Sequence, residues 1–166
     1  RSSNIYFYDV ASRMDIGRLA SFTEQFGYGK KLILDFPTVV TGLVPNEEWK
    51  LKVRGEKWYQ GDTVNLGIGQ GDLLVTPVQV AYLAATIANR GELVDLKMVR
   101  SIPISASVDA GEYSRTSSRQ VPGLTPLDWE RMAEAMEDVV HLGGQGYGNN
   151  GTAWAYIGQN IPYRMA

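Results

Sequence analysis

The stretch from residue 58 to residue 79, WYQGDTVNLGIGQGDLLVTPVQ, is the most informative part of the sequence. Its last four residues form the clearest helix start in the chain. Thr76 can cap the helix, Pro77 suits the first turn, and Gln79 can reach back to the backbone as in a capping box. We therefore predict a helix that begins here and ends before Gly91.

A glycine-rich segment, Gly67 to Gly71, precedes this helix. It resembles half of a nucleotide loop, but it lacks the Lys-Ser or Lys-Thr pair that follows in a phosphate-binding loop. The plainer interpretation is a tight backbone passage, because such a passage needs residues without a Cβ. The segment therefore predicts close packing and not a phosphate site.

The composition is that of one ordinary globular domain: 166 residues, 44% hydrophobic and 20% charged. Sixteen basic and 18 acidic residues give a net charge of -2 without a basic block, which argues against nucleic acid as a partner. No apolar stretch reaches the roughly 20 residues that cross a bilayer, so we expect any targeting segment to lie outside this chain. Without cysteine, and with His141 as the single histidine, the sequence predicts no disulfide, no metal site and no cofactor.

Three further helices are predicted from apolar spacing and end signals. Ile5 to Met14 has a wide apolar face, which predicts a largely buried helix. Asp15 is a good N-cap for a second helix, which should stop at Gly27. Thr125 begins an amphipathic helix that should end near Gly143.

The remaining segments lack a clear helical period. We predict a long ordered connection from Lys30 to Asp62, because prolines and glycines interrupt every pattern there. Leu93 to Ile104 has short β-type runs, and the serine- and arginine-rich stretch Ser105 to Gln120 predicts a mobile loop. Thr152 to Ile157 alternates small or polar with aromatic residues, as a half-buried strand does.

Few residues stand out as candidates for chemistry. Ser2, Ser3 and Asn4 stand at the head of the first helix, where spacing alone favours a capping role. Residues 6 to 8 are aromatic and are predicted to be core, and His141 suits the negative end of a helix dipole. Three carboxylates near glycines are predicted to be surface or capping residues: Asp62, Asp72 and Glu92.

Taken together, the motifs resemble the class B penicillin-binding proteins, and most closely their penicillin-binding protein 2 family. Each motif alone is weak evidence, but they occur in the family's order and span nearly the whole chain. They are Ser2-Ser3-Asn4, Phe26-Gly27-Tyr28-Gly29, Trp58 to Thr63, Gly67 to Gly71, Thr76-Pro77 and Gly151-Thr152-Ala153. The resemblance implies the α/β penicillin-recognising fold, an antiparallel sheet flanked by helices, incomplete in this chain.

In that family three motifs meet in one cleft: a serine followed three residues later by lysine, a Ser-x-Asn triplet, and a Lys-Thr-Gly or Lys-Ser-Gly strand. The resemblance identifies Ser2 and Asn4 as the catalytic residues of the triplet, with Ser3 as the spacer. No Ser-x-x-Lys occurs in the sequence, and residues 162 to 166 are similar to the lead-in to the Lys-x-Gly strand. We therefore expect residues 1–166 to be an internal part of a transpeptidase domain, inactive alone, between these two motifs.

The resemblance implies acyl transfer through a serine ester. Ser2 would pass a proton between a lysine and the leaving amine, and Asn4 would hold an amide of the substrate. The implied partners are peptidoglycan stem peptides, β-lactam antibiotics and a membrane glycosyltransferase of the elongation machinery. The implied location is the periplasmic face of the inner membrane, through one N-terminal anchor outside this chain.

Two alternatives to a D,D-transpeptidase remain at this point. One is a serine β-lactamase or β-lactam sensor of the same superfamily, against which the segments Trp58 to Thr63 and Gly67 to Gly71 argue. The other is a noncatalytic interaction module of the cell-wall machinery. A fast deacylation rate would indicate a β-lactamase, and a longer sequence without an upstream serine and lysine would favour the interaction module.

Overall fold

The computed structural model of the protein describes residues 3–33, 38–98, 119–143 and 151–158. Within these ranges the chain is mostly helical, with one small antiparallel sheet. In chain order the elements are α1 (Asn4–Ser12), α2 (Ile16–Gln25), α3 (Glu47–Arg54), α4 (Gln60–Gly67), α5 (Pro77–Ala88), β1 (Glu92–Leu93), β2 (Arg119–Gln120), α6 (Pro126–His141) and a π-helical turn (Trp154–Gly158).

Side-chain caps start four of the helices. In each, an oxygen of the cap accepts a hydrogen bond from the backbone N–H three residues later, which satisfies a donor that has no partner within the helix. The predicted caps Asp15, Thr76 and Thr125 are confirmed, and Asn46 is a fourth. The predicted capping box of Gln79 is also present.

The prediction of an irregular connection from Lys30 to Asp62 is wrong, because α3 lies within this stretch and α4 begins in it. The sequence of α3 lacks a long apolar stripe. Its ends define it instead, with acidic residues in the first turn, basic residues in the last, and Gly55 in the left-handed conformation after it (φ 69°). These charges complement the helix dipole, and glycine ends a helix at little cost.

The apolar core lies between α2, α5 and α6. Phe26, Val121 and Trp129 are buried together, and the rings of Phe26 and Trp129 meet edge to face at 6.4 Å. Gly91 (φ 89°) passes directly under the Trp129 ring, where a Cβ would not fit. The amphipathic pattern predicted for α6 is confirmed, because Trp129, Ala133 and Val140 are buried on one side of it. Partly buried hydrophobic residues pack around the core: Leu83, Ile87, Leu93, Leu124 and Met132.

Strand structure is sparse in the part of the chain that the structure describes. Glu92 pairs with Gln120 and Leu93 with Arg119. Among the described residues, the predicted β runs from Leu93 to Ile104 are thus confirmed at Leu93 and at Leu96, which forms an isolated parallel bridge with Ile33. The predicted loop of residues 105–120 ends in a strand instead, while residues 105–118 lie outside the described ranges.

The strand predicted for Thr152 to Ile157 is wrong, because the chain turns back on the end of α6 there. Gly151 N–H donates to the Leu142 carbonyl at 2.6 Å, and Ala153 N–H donates to the Val139 carbonyl at 2.9 Å. The last carbonyls of a helix have no partner within it. These carbonyls therefore accept hydrogen bonds from the N–H groups of this segment, and the segment forms a π-helical turn.

The prediction that α1 is largely buried is wrong among the described residues. Ala11 is buried, whereas Ile5 is 81% exposed. The predicted core role of the aromatic residues 6 to 8 fails in the same way, since only Tyr8 is partly buried. The reason is that α4 packs along the Ala11 side of α1 and leaves the other apolar residues of α1 exposed: Ile5, Tyr6, Phe7 and Val10.

None of the described helices is long and apolar enough to cross a bilayer.

Candidate active site

The Ser-x-Asn triplet stands at the start of α1. Ser3 occupies the N-cap position with an extended backbone (φ -122°, ψ 93°), and Asn4 is the first residue of the helix. Ser2 lies outside the described residues. The structure therefore locates Asn4 on an exposed helix end and leaves the prediction for Ser2 as a prediction.

The start of α1 differs from the capped helix starts elsewhere in the chain. The Ser3 hydroxyl accepts no hydrogen bond from the helix, so the capping role that spacing favoured does not hold for Ser3. The Asn4 side chain is exposed, and no other described residue forms a hydrogen bond with it. A carboxamide carries both a donor and an acceptor, so Asn4 can bind an amide group of a ligand.

Helix α4 packs along α1, and contacts near both ends of α4 show how it is held. The Gln60 Nε2 donates a hydrogen bond to the carbonyl of Ser12 at 3.0 Å, at the C-terminal end of α1. At the other end of α4, Gly67 lies against Ala11 and the carbonyl of Phe7. The predicted tight passage at the glycine-rich segment is thus confirmed at Gly67.

Helix α4 is in turn fixed to α3 by a partly buried ion pair. Lys50 Nζ lies 2.7 Å from Asp62 Oδ2, and the side chains of Lys50 and Asp62 are only 7% and 28% exposed. The ammonium also lies 5.0 Å from the ring centre of Tyr59, within cation–π range. Nearby, Trp58 Nε1 donates to the Thr63 hydroxyl at 2.8 Å, which ties the start of α4 to the segment before it.

Asp62 serves both the ion pair and the start of α4. Its carboxylate accepts a hydrogen bond from the backbone N–H of Tyr59 at 2.8 Å, so the predicted capping role is confirmed. Partial burial acts to raise the pKa of Asp62. The hydrogen bonds from Lys50 and Tyr59, with the charges of Lys50 and Arg54, outweigh burial and hold the pKa below its ordinary value. The ion pair was missed because the two charges come from different helices.

The other charged candidates have structural positions. Asp72 forms an ion pair with Arg54, which the sequence did not predict, and Glu92 is exposed in β1. His141 lies in the last turn of α6, as predicted. Across the described ranges, no three acidic, histidine or cysteine side chains are grouped so that they could hold a metal ion.

Gln79 is the most connected buried polar residue, and sequence analysis saw only its capping role. Its side-chain oxygen accepts from Thr76 N–H at 2.9 Å. Its side-chain nitrogen faces three backbone carbonyls, those of Gly27 at 3.0 Å, Lys30 at 3.3 Å and Thr41 at 2.7 Å. One amide thus fastens the connection after α2 to the start of α5. No local pattern signals such a long-range role.

Comparison with known proteins places this geometry in a family. The family described as penicillin binding protein transpeptidase domain matches residues 1–158. Peptidoglycan D,D-transpeptidase MrdA of Acinetobacter baumannii is 36% identical over 147 residues, which are 86% of this chain and 21% of that protein. MrdA of Salmonella typhimurium is 31% identical over 165 residues, 99% of this chain and 25% of that protein.

Solved structures agree with these sequence matches. The crystal structure of Pseudomonas aeruginosa PBP2 in complex with WCK 5153 is 36% identical, with a TM-score of 0.81 over 99% of this chain and 34% of that one. PBP2 from Helicobacter pylori is 25% identical, with a TM-score of 0.72 over 92% of this chain. The predicted α/β penicillin-recognising fold is confirmed, with mainly its helical part present in the described residues.

The chain spans about a fifth to a quarter of the length of the curated relatives named above. The match to the family covers nearly all of the chain, and the two MrdA relatives and the two PBP2 structures named above are its penicillin-binding protein 2 members. The chain belongs to the penicillin-binding protein transpeptidase family, in its penicillin-binding protein 2 branch.

Proposed function

We propose that residues 1–166 are the part of a peptidoglycan D,D-transpeptidase domain that runs from the Ser-x-Asn motif to just before the Lys-Thr-Gly or Lys-Ser-Gly motif. The observation that carries this proposal is the start of α1. There an exposed Asn4 carboxamide stands beside an N-cap hydroxyl that does not cap, in a chain that matches the family from its first residue. The nucleophilic serine and its lysine would come from polypeptide outside these residues.

The proposed reaction is acyl transfer from a stem peptide that ends in D-Ala-D-Ala. The nucleophilic serine oxygen attacks the carbonyl between the two alanines, the amide C–N bond breaks, and the leaving D-Ala takes a proton. An amine of a second stem peptide then attacks the serine ester, which forms the cross-link and returns the proton to the serine. Attack on the carbonyl of a β-lactam ring follows the same first step.

Ser2 and Asn4 have separate roles in this proposal. A hydroxyl is too weak an acid and base to drive proton transfer alone, but Ser2 can relay the proton from a neighbouring lysine to the leaving amine. The Asn4 carboxamide donates to a carbonyl and accepts from an N–H of the substrate backbone, which orients the scissile bond. Both roles need the residues to be held in place relative to the nucleophile.

Similar structures support part of the proposal for the partners of the whole protein. A related PBP2 has been solved with WCK 5153, and one from Helicobacter pylori in complex with MreC. Another similar structure belongs to a peptidoglycan synthase complex that coordinates polymerization and crosslinking. The family name supports penicillin binding, and we extend it to β-lactams in general. From the family resemblance we further propose a membrane glycosyltransferase partner and a place at the periplasmic face of the inner membrane, through an anchor outside this chain.

Acylation of the intact protein by a fluorescent penicillin tests the proposal. The wild type should form a covalent adduct that survives denaturation. Asn4→Ala should lower the second-order rate constant of acylation by about 100-fold, the scale of a lost catalytic contact. Asn89→Ala, the same change at the exposed C-cap of α5, is the control and should leave the rate unchanged. A wild-type protein without an adduct, or an Asn4→Ala variant with the wild-type rate, would refute the proposal.

A further inference from the structure

The position of the triplet depends on how α1 lies on α4. Among the described elements, α4 is the one that packs most extensively against α1. Most of the apolar face of α1 makes no such contact, and Ala11 is its one buried residue. The contact between Ala11 and Gly67 therefore holds the only buried residue among those described in α1, the helix that carries Asn4.

Gly67 is needed at this contact because of space and not because of backbone conformation. A Cβ at position 67 would overlap the Cβ of Ala11, and it would also lie 3.7 Å from the carbonyl oxygen of Phe7. Gly69 and Gly71, in contrast, have φ angles of 74° and 79°, which favour glycine in any surroundings. Gly67 has no such angle, so its missing side chain serves the approach of the two helices.

The geometry of α1 turns a small shift at Ala11 into a displacement of the triplet. Asn4 precedes Ala11 by about two helical turns on the same stripe of the helix, a rise of roughly 10 Å. A methyl group inserted at position 67 requires the helices to separate by about 1 Å to restore van der Waals contact. A displacement of about 1 Å in a catalytic group can lower a rate by about 100-fold.

The support behind Gly67 is rigid enough to transmit such a shift. α4 is capped by Asp62, which also pairs with the buried Lys50 of α3. Because this pair is directional and its lysine is buried, α4 does not move freely away from an added methyl group. The displacement would fall on α1, whose other face has no comparable contact among the described residues.

We propose that Gly67, acting through Ala11, is a positioning residue that sets where α1 presents the Ser-x-Asn triplet to the substrate. This inference rests on the proposed function, because it assumes that Asn4 binds the substrate. It assigns the first glycine of the glycine-rich segment a role in the acyl-transfer site that the triplet itself does not reveal.

An exchange of the two small residues tests the proposal in the intact protein. Gly67→Ala should slow acylation by a fluorescent penicillin about 10- to 100-fold. Adding Ala11→Gly removes the clashing methyl group from the other side, so the double variant should recover to within about threefold of the wild-type rate. Gly61→Ala is the matched control, because a Cβ at position 61 of the same helix meets no atom within 4 Å.

The readouts separate positioning from folding and from the proposed function. Melting temperature is measured beside the rate, and the rate is expressed per folded molecule. If Gly67→Ala alone does not fold, the double variant must recover both folding and acylation. A wild-type rate in folded Gly67→Ala, or a double variant with acylation or folding as impaired as in Gly67→Ala, overturns the inference alone. A wild-type rate in Asn4→Ala overturns the proposed function, and the inference with it.

Discussion

Two regions of the molecule are held together by different forces. The region of α2, α5 and α6 buries an apolar core around Phe26 and Trp129. The region of α1, α3 and α4 depends on polar and close-backbone contacts: the Lys50–Asp62 ion pair, the Gln60 hydrogen bond to α1, and the approach of Gly67 to Ala11. The candidate active site stands on the second region.

Because the two regions rely on different forces, one mainly determines stability and the other mainly determines the geometry of the candidate site. Apolar burial supplies most of the free energy of folding but is non-directional, so it fixes positions loosely. Hydrogen bonds, ion pairs and close backbone approach depend steeply on distance and angle. We therefore expect changes in the apolar core to lower stability more than acylation, and changes around α4 to lower acylation more than stability.

The largest expected loss of stability comes from the core. Trp129→Ala removes a side chain that is 3% exposed and leaves a cavity beside Phe26 and Gly91. The free energy of unfolding should fall by about 3–5 kcal/mol, as measured by urea denaturation. Leu127→Ala, on the same helix but 57% exposed, should change it by less than about 0.5 kcal/mol. Equal losses in the two variants would contradict the assigned core.

Gln79→Glu should have the next largest effect, since it replaces a donor with an acceptor in front of three carbonyls. Gln79 is 1% exposed, so the new carboxyl group cannot turn to solvent. We expect a loss of about 2–4 kcal/mol, from unpaired buried carbonyls and a buried acid. Urea denaturation measures this loss. The exposed Gln120 offers the matched change, and Gln120→Glu should be nearly neutral in the same measurement.

Lys50→Met tests the region of α1, α3 and α4, where we expect a loss of acylation as well as of stability. The free energy of unfolding should fall by about 1–2 kcal/mol, less than for a fully buried pair because Asp62 keeps some solvent contact. The acylation rate should fall at the same time, through the loosened α4. Lys52→Met, two residues later in the same helix and exposed, is the control. Loss of stability with no change in rate would show that α4 does not guide α1.

The smallest expected effect is a pH dependence from Asp62. Its pKa in the folded protein is below the ordinary value of 3.8, so the ionised form favours folding. This contribution is complete above the ordinary pKa and disappears as the pH falls through the lowered value. The stability difference between the wild type and Asp62→Asn should thus shrink, by less than about 1 kcal/mol, between roughly pH 5 and pH 2. A constant difference over that range would contradict the lowered pKa.

The sequence predicted what depends on local signals. The caps at Asp15, Thr76 and Thr125 mark helix starts within a few residues, so α2, α5 and α6 were predicted. α3 was missed because end charges, and not an apolar stripe, define it. The final segment was mistaken for a strand because its backbone partners are the end carbonyls of α6, which no nearby residue reveals.

For the candidate site too, the sequence predicted the local motif but not the contacts between distant residues. Family resemblance predicted Ser2 and Asn4 as catalytic residues; the structure describes only Asn4 of the two, and both roles stay predictions. The contacts that support them join residues far apart in the chain, such as Gly67 with Ala11. A glycine-rich segment signals close packing, but its partner depends on how the helices pack. The burial of α1 was overestimated for the same reason.

The most direct test of the account is to locate the acylated residue. The intact protein is incubated with a β-lactam, digested, and its peptides are sequenced by mass spectrometry. We predict that the acyl group is on a serine outside residues 1–166, three residues before a lysine, and that Ser2→Ala slows the labelling without moving it. An acyl group on Ser2, or on any other residue of this chain, would contradict the account.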